Sequence, residues 1–368
     1  MNVFLYAGGL SLVKRSGVAE AVVHQKEMLS SIDIQTVCKW SQPSDVVHLN
    51  TIFPDSLLAS YRARQRKKKI VYYGHSTMED FRNSFKGSNF FAPLFRRWII
   101  RCYNSGDVII TPTEYSKGLL ESYGIKKPIY SLSNGIDTDF FAPNEERRKA
   151  FRAEYKLNER EKAVISVGHY IERKGLPDFV ELARRMPDVR FFWFGYTDLK
   201  LVPNNIREAI ESAPPNLCFP GYVDRNELRD AYCGCDLFAF MTKEETEGIV
   251  VLEALACGIP AIVSDIPVYD GWLKDGVNIY KAKGLDDFAK KTEAILTGYL
   301  PDLTAQGREV AEERSLQSTG LKLKEIYEKE HILNQQSVPK RYGRRTEYWA
   351  EQNAAKKMQN DLSLTQII

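Results

Sequence analysis

At 368 residues the chain is long for one hydrophobic core and comfortable for two domains. A hydrophobic fraction of 43% and a charged fraction of 27% are ordinary for a soluble globular protein, and no uncharged apolar run reaches the roughly 18 residues that a membrane-spanning helix needs. The net charge of +3 hides a polarity: residues 1–140 hold 18 Lys and Arg against 12 Asp and Glu, whereas residues 141–330 hold 27 against 33. The first half therefore favours an anionic neighbour.

The opening MNVFLYAGGLSLVKRSG has an apolar stretch with no basic residue before it and no small-residue cleavage site after it. It reads as a buried strand running into a glycine loop, not as a signal peptide. SGVAEAVVHQKEMLS, DVVHLN, a helix through PDSLLASYRARQ, KIVYYGH, DVIITP, a helix through EYSKGLLESYG and PIYSLSNG follow. Strand and helix in turn is the pattern of an open parallel sheet. The pattern then restarts with AVISVGH, LPDFVELARRM, VRFFWFG, NLCFPGY, RNELRDAYCGC, DLFAFM, a helix within EETEGIVVLEALACGIPAIVSD, and GLDDFAKKTEAILTG. Two α/β units in tandem fit this better than one large sheet. Asn134-Gly135 signals a turn, Pro143 breaks the pattern and a charged helix opens near Asn144, so the seam falls close to Asp139. The expected domains are 1–139 and 140–334, followed by a polar segment, 335–368, that is either a docked helix or a mobile tail. The six cysteines lie in mostly apolar company; Cys233 and Cys235 are too close for an easy disulfide and have no matching pair to complete a zinc site, so they read as core thiols.

The stretch 244–265 is apolar yet carries Glu245 and Glu253, and a buried carboxylate is costly unless something hydrogen-bonds it. Gly258 and Pro260 stop a short buried helix over Ile249–Cys257, which puts Glu253 inside it and Glu245 in the loop before it. Its start, Gly248, Ile249 and Val250, offers free backbone N–H groups and a partial positive charge, a seat for phosphate. A phosphate with a carboxylate on each side suits a sugar nucleotide: one accepts from both ribose hydroxyls, the other from hydroxyls of the donor sugar. The plainer reading, acids decorating a helix start, fits Glu244, Glu245 and Glu247 better than Glu253. His75 follows the strand IVYYG at its carboxyl end, where open α/β sheets place ligands, although a lone histidine is commonly structural. Gly8, Gly9 and Gly17 let backbone approach an acceptor or the donor phosphates, or simply turn the chain. Their spacing is not G-x-G-x-x-G, which disfavours a dinucleotide-dependent dehydrogenase.

E-x7-E followed by ALACGIPAIVSD resembles the donor-site signature of family 4 glycosyltransferases, retaining enzymes of the GT-B fold, in which two Rossmann-like α/β domains face each other across a cleft. SNGIDTDFF resembles that family's interdomain segment, IITPTEYSKGLL the strand and helix before it, and SVGHYIERKGLPDFVELA the strand and basic loop that open the second domain. The resemblance spans about residues 1–330. Through GGLSLVKRSGVAEAVVHQ, GHSTMEDFRNSF and EETEGIVVLEALA it narrows to bacterial glycolipid synthases that add a second hexose to monoglucosyldiacylglycerol. It implies that Lys174, with Arg173 beside it, neutralises a donor diphosphate, that Glu253 takes the ribose diol, that Glu245 holds the sugar, and that His75 reaches the reacting end. It also implies UDP-glucose or UDP-galactose as donor, a glycolipid acceptor, and no required metal, since cations and helix N–H donors at the diphosphate stabilise the leaving charge. In the mechanism usually proposed for such enzymes the leaving phosphate helps deprotonate the acceptor, so no dedicated protein base is expected. One departure stands out: the family often has Arg directly after the glycine of the second domain's first strand, and here that residue is His169, with Arg173 as its candidate substitute.

RARQRKKK, residues 62–69, puts six positive charges in eight positions, and a second cluster interleaves Arg82, Lys86, Arg96, Arg97 and Arg101 with Phe81, Phe85, Phe90, Phe91, Phe95 and Trp98. A basic stripe beside aromatic groups suits anionic lipid headgroups. No nucleic-acid motif accompanies it, and a solvated face accounts for RARQRKKK nearly as well. The expectation is a cytoplasmic enzyme, peripheral on the inner face of the cell membrane, in glycolipid or lipoteichoic acid anchor synthesis. Two other classes stay open: a soluble transferase of this fold acting on a sugar, polyprenol-linked or protein acceptor, and a non-catalytic binding subunit.

Overall fold

A computed structural model describes residues 1–9, 17–84 and 87–332. Residues 10–16, Phe85, Lys86 and the segment 335–368, expected as a docked helix or tail, lie outside the described residues.

The first half forms a parallel sheet of β1 (Asn2–Tyr6), β2 (Gln35–Val37), β3 (Val46–Leu49), β4 (Lys69–Tyr73), β5 (Val108–Thr111) and β6 (Ile129–Ser131), in the order β2-β1-β3-β4-β5-β6. Its crossovers run through α1 (Gly17–Ser31), α2 (Pro54–Gln65), α3 (Met78–Phe81), α4 (Ser88–Tyr103) and α5 (Glu114–Ser122). Strands such as VVHL and VIIT are buried at every position because helices cover both faces of a parallel sheet. Tyr72, Ile99, Tyr103 and Ile109 lie at the centre of one of its layers.

The second half repeats the plan. α6 (Glu145–Glu154) opens it, capped by the Asn144 side chain, which accepts from the Arg147 N–H at 2.9 Å. The strands are β7 (Ala163–Val167), β8 (Arg190–Phe194), β9 (Leu217–Gly221), β10 (Leu237–Phe240), β11 (Ala261–Ser264) and β12 (Tyr280–Ala282), all parallel, in the order β12-β11-β10-β7-β8-β9. They are joined by α7 (Leu176–Arg185), α8 (Asn204–Glu211), α9 (Arg225–Gly234) and α10 (Ile249–Ala256), with α11 (Gly284–Leu296) and α12 (Thr304–Glu313) after the last strand. Phe192, Phe194, Phe238 and Phe240 fill the layer beneath α9 and α10. The chain winds outward from β7 in one direction and returns to β10 on its other side. The β7/β10 junction is thus the switch point, outside whose carboxyl ends such sheets hold ligands.

α13 (Leu316–Lys329) follows the second sheet in sequence but packs on α1 of the first. Tyr327 hydrogen-bonds His48 of β3, and the Tyr130 hydroxyl of β6 donates to Glu330 just beyond α13. The linker pairs with the turn before α13: the Ile136 N–H donates to the Arg314 carbonyl and the Leu316 N–H to the Ile136 carbonyl, each at 3.0 Å. No helix among the described residues is long and apolar enough to cross a membrane.

Candidate active site

The loops after β7 and β10 are bonded to each other. Gly175, at φ 76°, ends the turn Glu172–Lys174; a Cβ there would stand 2.1 Å from the Met241 carbonyl oxygen, so only glycine permits this approach. The Arg173 carbonyl accepts from the Lys243 N–H at 2.7 Å and from the Thr242 hydroxyl at 3.2 Å. Those contacts bring the basic pair to the first glutamate of E-x7-E. Lys174 Nζ lies 2.5 Å from Glu245 Oε1, which also accepts from Thr242 Oγ1 at 2.7 Å and stands 3.5 Å from Arg173 Nη1. Burial works to raise the Glu245 pKa, but Lys174 and Arg173 outweigh it and hold the carboxyl below its usual range. Arg173 also crosses to the first half: its Nη1 is 3.0 Å from Asp80 Oδ1 of α3.

A cleft of about 310 Å³ opens on this cluster, lined by Gly17, His75, Asp80 and Asn134 from one side and by His169, Arg173, Lys174, Glu245, Gly248, Ile249 and Val250 from the other. Gly248, at φ 88°, caps α10 with no side chain of its own, which leaves the first N–H groups of that helix facing the cleft. His75 stacks on Tyr73, with its Nε2 3.3 Å from Asn50 Oδ1. Burial lowers its pKa to about 4, so the ring is neutral at pH 7 and offers a hydrogen bond, not a charge. His169 lines the cleft with Nδ1 3.0 Å from the Tyr196 carbonyl.

Three expected residues stand apart. Glu253 is not among the residues lining this cleft. It is buried in α10 and borders an adjoining pocket of about 180 Å³ with Glu20, Arg225, Ile249 and Val250. The Tyr232 hydroxyl donates to it at 2.8 Å. Burial, with Glu20 adding to it, raises its pKa to about 7. The two pockets share Gly17, Tyr222, Val223, Leu228, Ile249 and Val250. Gly8 and Gly9 are likewise not among the residues lining the cleft: a Cβ on Gly8 would strike Asp55 and Tyr6, and one on Gly9 the Phe53 ring. Their close approach is to side chains of β1 and of the start of α2, within the same half of the chain. Gly17 faces open space.

The residues that fasten the loop 243–248 to the first half carry no local signal in the sequence. The Tyr115 hydroxyl donates to Glu244 at 3.2 Å and the Thr113 hydroxyl to the Thr246 carbonyl at 2.8 Å. Asn134 gives Glu247 both its backbone N–H, at 3.0 Å, and its side-chain amide, at 2.8 Å. The acids that looked like helix decoration thus hold the two halves together. Asp80 does have a local signal: Thr77, three residues before it, is the signature of a helix cap, and the Thr77 hydroxyl accepts from the Asp80 N–H at 3.1 Å. Among the described residues no cluster of three or more His, Cys, Asp or Glu is placed to hold a metal ion.

The basic and aromatic stretch divides. Phe81 and Phe95 stack on each other at 4.0 Å and the Trp98 indole donates to the Ile52 carbonyl, whereas Phe90 (82% exposed), Phe91 and Leu94 stand in the open, as do Leu58 and Tyr61 of α2. Much of RARQRKKK is used within the fold: Arg62 and Arg66 lie against Trp40, Arg64 donates to the Ser105 carbonyl and Lys68 to Ser44.

Two family models match, Glycosyltransferase Family 4 over residues 34–140 and Glycosyl transferases group 1 over residues 147–314. A processive diacylglycerol alpha-glucosyltransferase of Acholeplasma laidlawii is 38% identical over 329 residues, 89% of this chain and 98% of the relative. The chain belongs to the family 4 glycosyltransferases. An alpha-galactosylglucosyldiacylglycerol synthase of Streptococcus pneumoniae is 25% identical to this glycosyltransferase over 301 residues, 79% of each chain. Among solved structures, Anabaena HepE in complex with UDP and glucose matches it with a TM-score of 0.73 at 15% identity, over 89% of this chain and 99% of that one. This last likeness speaks for the fold, and the GT-B architecture expected from the sequence is the one found.

Proposed function

We propose that this glycosyltransferase is a retaining hexosyltransferase that moves glucose or galactose from a UDP-sugar to a diacylglycerol glycolipid such as monoglucosyldiacylglycerol, working peripherally on the inner face of the cell membrane. The observation that carries the reading is the meeting of Arg173, Lys174 and the open start of α10 with Glu245 in one cleft between the sheets. The names of the two diacylglycerol-directed relatives support the acceptor class, and the UDP and glucose bound by the structural neighbour support the donor.

In this reading residues 140–334 bind the donor and residues 1–139 face the acceptor and the membrane, with α13 returning to the acceptor side. Breaking the bond between sugar and phosphate puts negative charge on the departing UDP. Lys174, Arg173 and the N–H groups of Ile249 and Val250 are fixed in advance where that charge develops, which lowers the barrier. Glu245 accepts from hydroxyls of the transferred sugar, and neutral His75 steers its reacting end. Glu253 serves the ribose from the adjoining pocket, which continues the cleft along α10. The exposed Phe90, Phe91 and Leu94, with Arg97 and Arg101 on the same helix, supply the apolar and cationic contacts of an interfacial helix.

The test uses the full chain with vesicles of anionic lipid containing diacylglycerol or monoglucosyldiacylglycerol, supplied with UDP-glucose or UDP-galactose. Mass spectrometry of the lipids should show hexose added, with matching UDP release. UDP release without a lipid product would refute the acceptor, and no UDP release with any acceptor would refute the donor.

A further inference from the structure

Arg173 is held by both halves of the molecule at once. Its Nη1 donates to the Glu244 carbonyl at 2.6 Å and lies 3.0 Å from Asp80 Oδ1, while its Nε reaches Ser84 Oγ at 3.4 Å. With Lys174 and Glu245 the group sets two cations against the carboxylates of Asp80 and Glu245 at ion-pair distance in a mostly buried place, and the Glu244 carboxyl is near enough to act on Arg173 as well, so the cations are in no surplus. A diphosphate needs cations in surplus, so one of the carboxylates has to yield. Glu245 is poorly placed to do so, being bonded to Thr242 of its own loop and to Lys174 of the loop after β7. Asp80 is better placed. It comes from the opposite side of the cleft on a four-residue helix, and its side chain is 27% exposed where those of Glu245 and Arg173 are 7% and 10%.

We propose that Asp80 is a positioning residue that competes with the donor diphosphate for Arg173, so that donor binding releases α3 from the second half of the enzyme. Before the donor arrives, Asp80 keeps the guanidinium extended toward the cleft and satisfied. Once phosphate oxygens replace it, the carboxylate is free to turn toward the acceptor side. α3 does not move alone: the Ser84 hydroxyl donates to the Asp80 carbonyl at 2.8 Å and the Phe81 ring stacks on Phe95 of α4, the helix that exposes Phe90, Phe91 and Leu94. The release therefore links donor occupancy to the helix that faces the acceptor, and by reciprocity an engaged acceptor helix alters donor affinity.

This inference rests on the placement of the diphosphate at Arg173 and Lys174, and calorimetric titration of UDP into the full chain separates the two. Asp80→Asn keeps the size and hydrogen-bonding capacity and removes the charge; it should bind UDP about 5- to 10-fold more tightly than wild type. Asp80→Ser should do the same, and serves if the first variant folds poorly. Arg173→Gln should weaken UDP binding, and in that background Asp80→Asn should change affinity less than about twofold, because the competition is gone. A merely structural role for Asp80 predicts weaker UDP binding on its removal. Equal or weaker binding by folded Asp80→Asn and Asp80→Ser overturns this inference alone, while wild type that fails to bind UDP overturns the placement of the donor as well.

Discussion

Lys174→Met removes the ammonium that most directly neutralises Glu245 while keeping a chain of similar length. Glu245 is left buried with Arg173 at 3.5 Å and Thr242 at 2.7 Å. Removing one partner of a buried pair costs about 3–5 kcal/mol when the other is stranded; with two partners remaining, we expect about 2 kcal/mol. For a cooperative unit the size of the second half, that lowers Tm by about 4–8 °C. The catalytic loss is separate and larger. A fixed donor at the developing charge is worth a factor of about 10²–10³, so kcat/KM for the UDP-sugar should fall by that much at 25 °C, where the variant is still folded. Lys174→Arg should not restore it, because the side chain threads between Gly168 and the Phe240 ring and a planar fork does not fit there as an ammonium does. Thermal unfolding and UDP release on the same samples give both numbers. A folded Lys174→Met enzyme with wild-type kcat/KM would refute the placement of the diphosphate, and an unchanged Tm would refute the buried ion pair.

The Glu253 carboxyl, raised to about 7 from an ordinary 4.5, makes a pH prediction. Between those values the folded chain keeps a proton that the unfolded chain has shed, so this group's contribution to stability is greatest at low pH and is lost as pH rises through 7. Ribose hydroxyls donate best to the ionised form, so UDP affinity should rise up to about pH 7 and then level; Glu253→Gln should flatten that limb, while Glu244→Gln, whose carboxyl also sits at about 7 but meets Tyr115, should leave it in place. Gly175→Ala meets both a positive φ and the Met241 carbonyl and should cost about 3 kcal/mol or more, read as a lowered urea midpoint. Phe90→Ser with Phe91→Ser should detach the protein from anionic vesicles in a flotation assay while leaving UDP affinity within about twofold; retained flotation would count against α4 as the membrane-facing helix.

Much of the architecture was legible because its signals are local. Short β-branched and aromatic runs alternating with helical periodicity announce a parallel sheet wherever they occur, and the restart of that pattern announces a second sheet. The glycine and proline at 258 and 260 marked the end of α10, and the Asn144 cap marked the start of α6. The acids of EETE were harder. Glu244 and Glu247 resemble any acidic helix start until Tyr115 and Asn134 are brought to them from more than a hundred residues away.

By itself the sequence determined which segments pair into two sheets and which residue types gather at the carboxyl ends of their strands, because strand burial, helix stops and turn chemistry depend on neighbours a few residues apart. Only the tertiary structure decided that Arg173 is shared with Asp80, that Glu253 opens on an adjoining pocket, that Gly8 and Gly9 pack on Asp55 and Phe53, and that α13 returns to the first sheet. Those facts concern contacts between distant segments, where a charge or a ring takes its role from whatever the fold sets within a few ångströms of it.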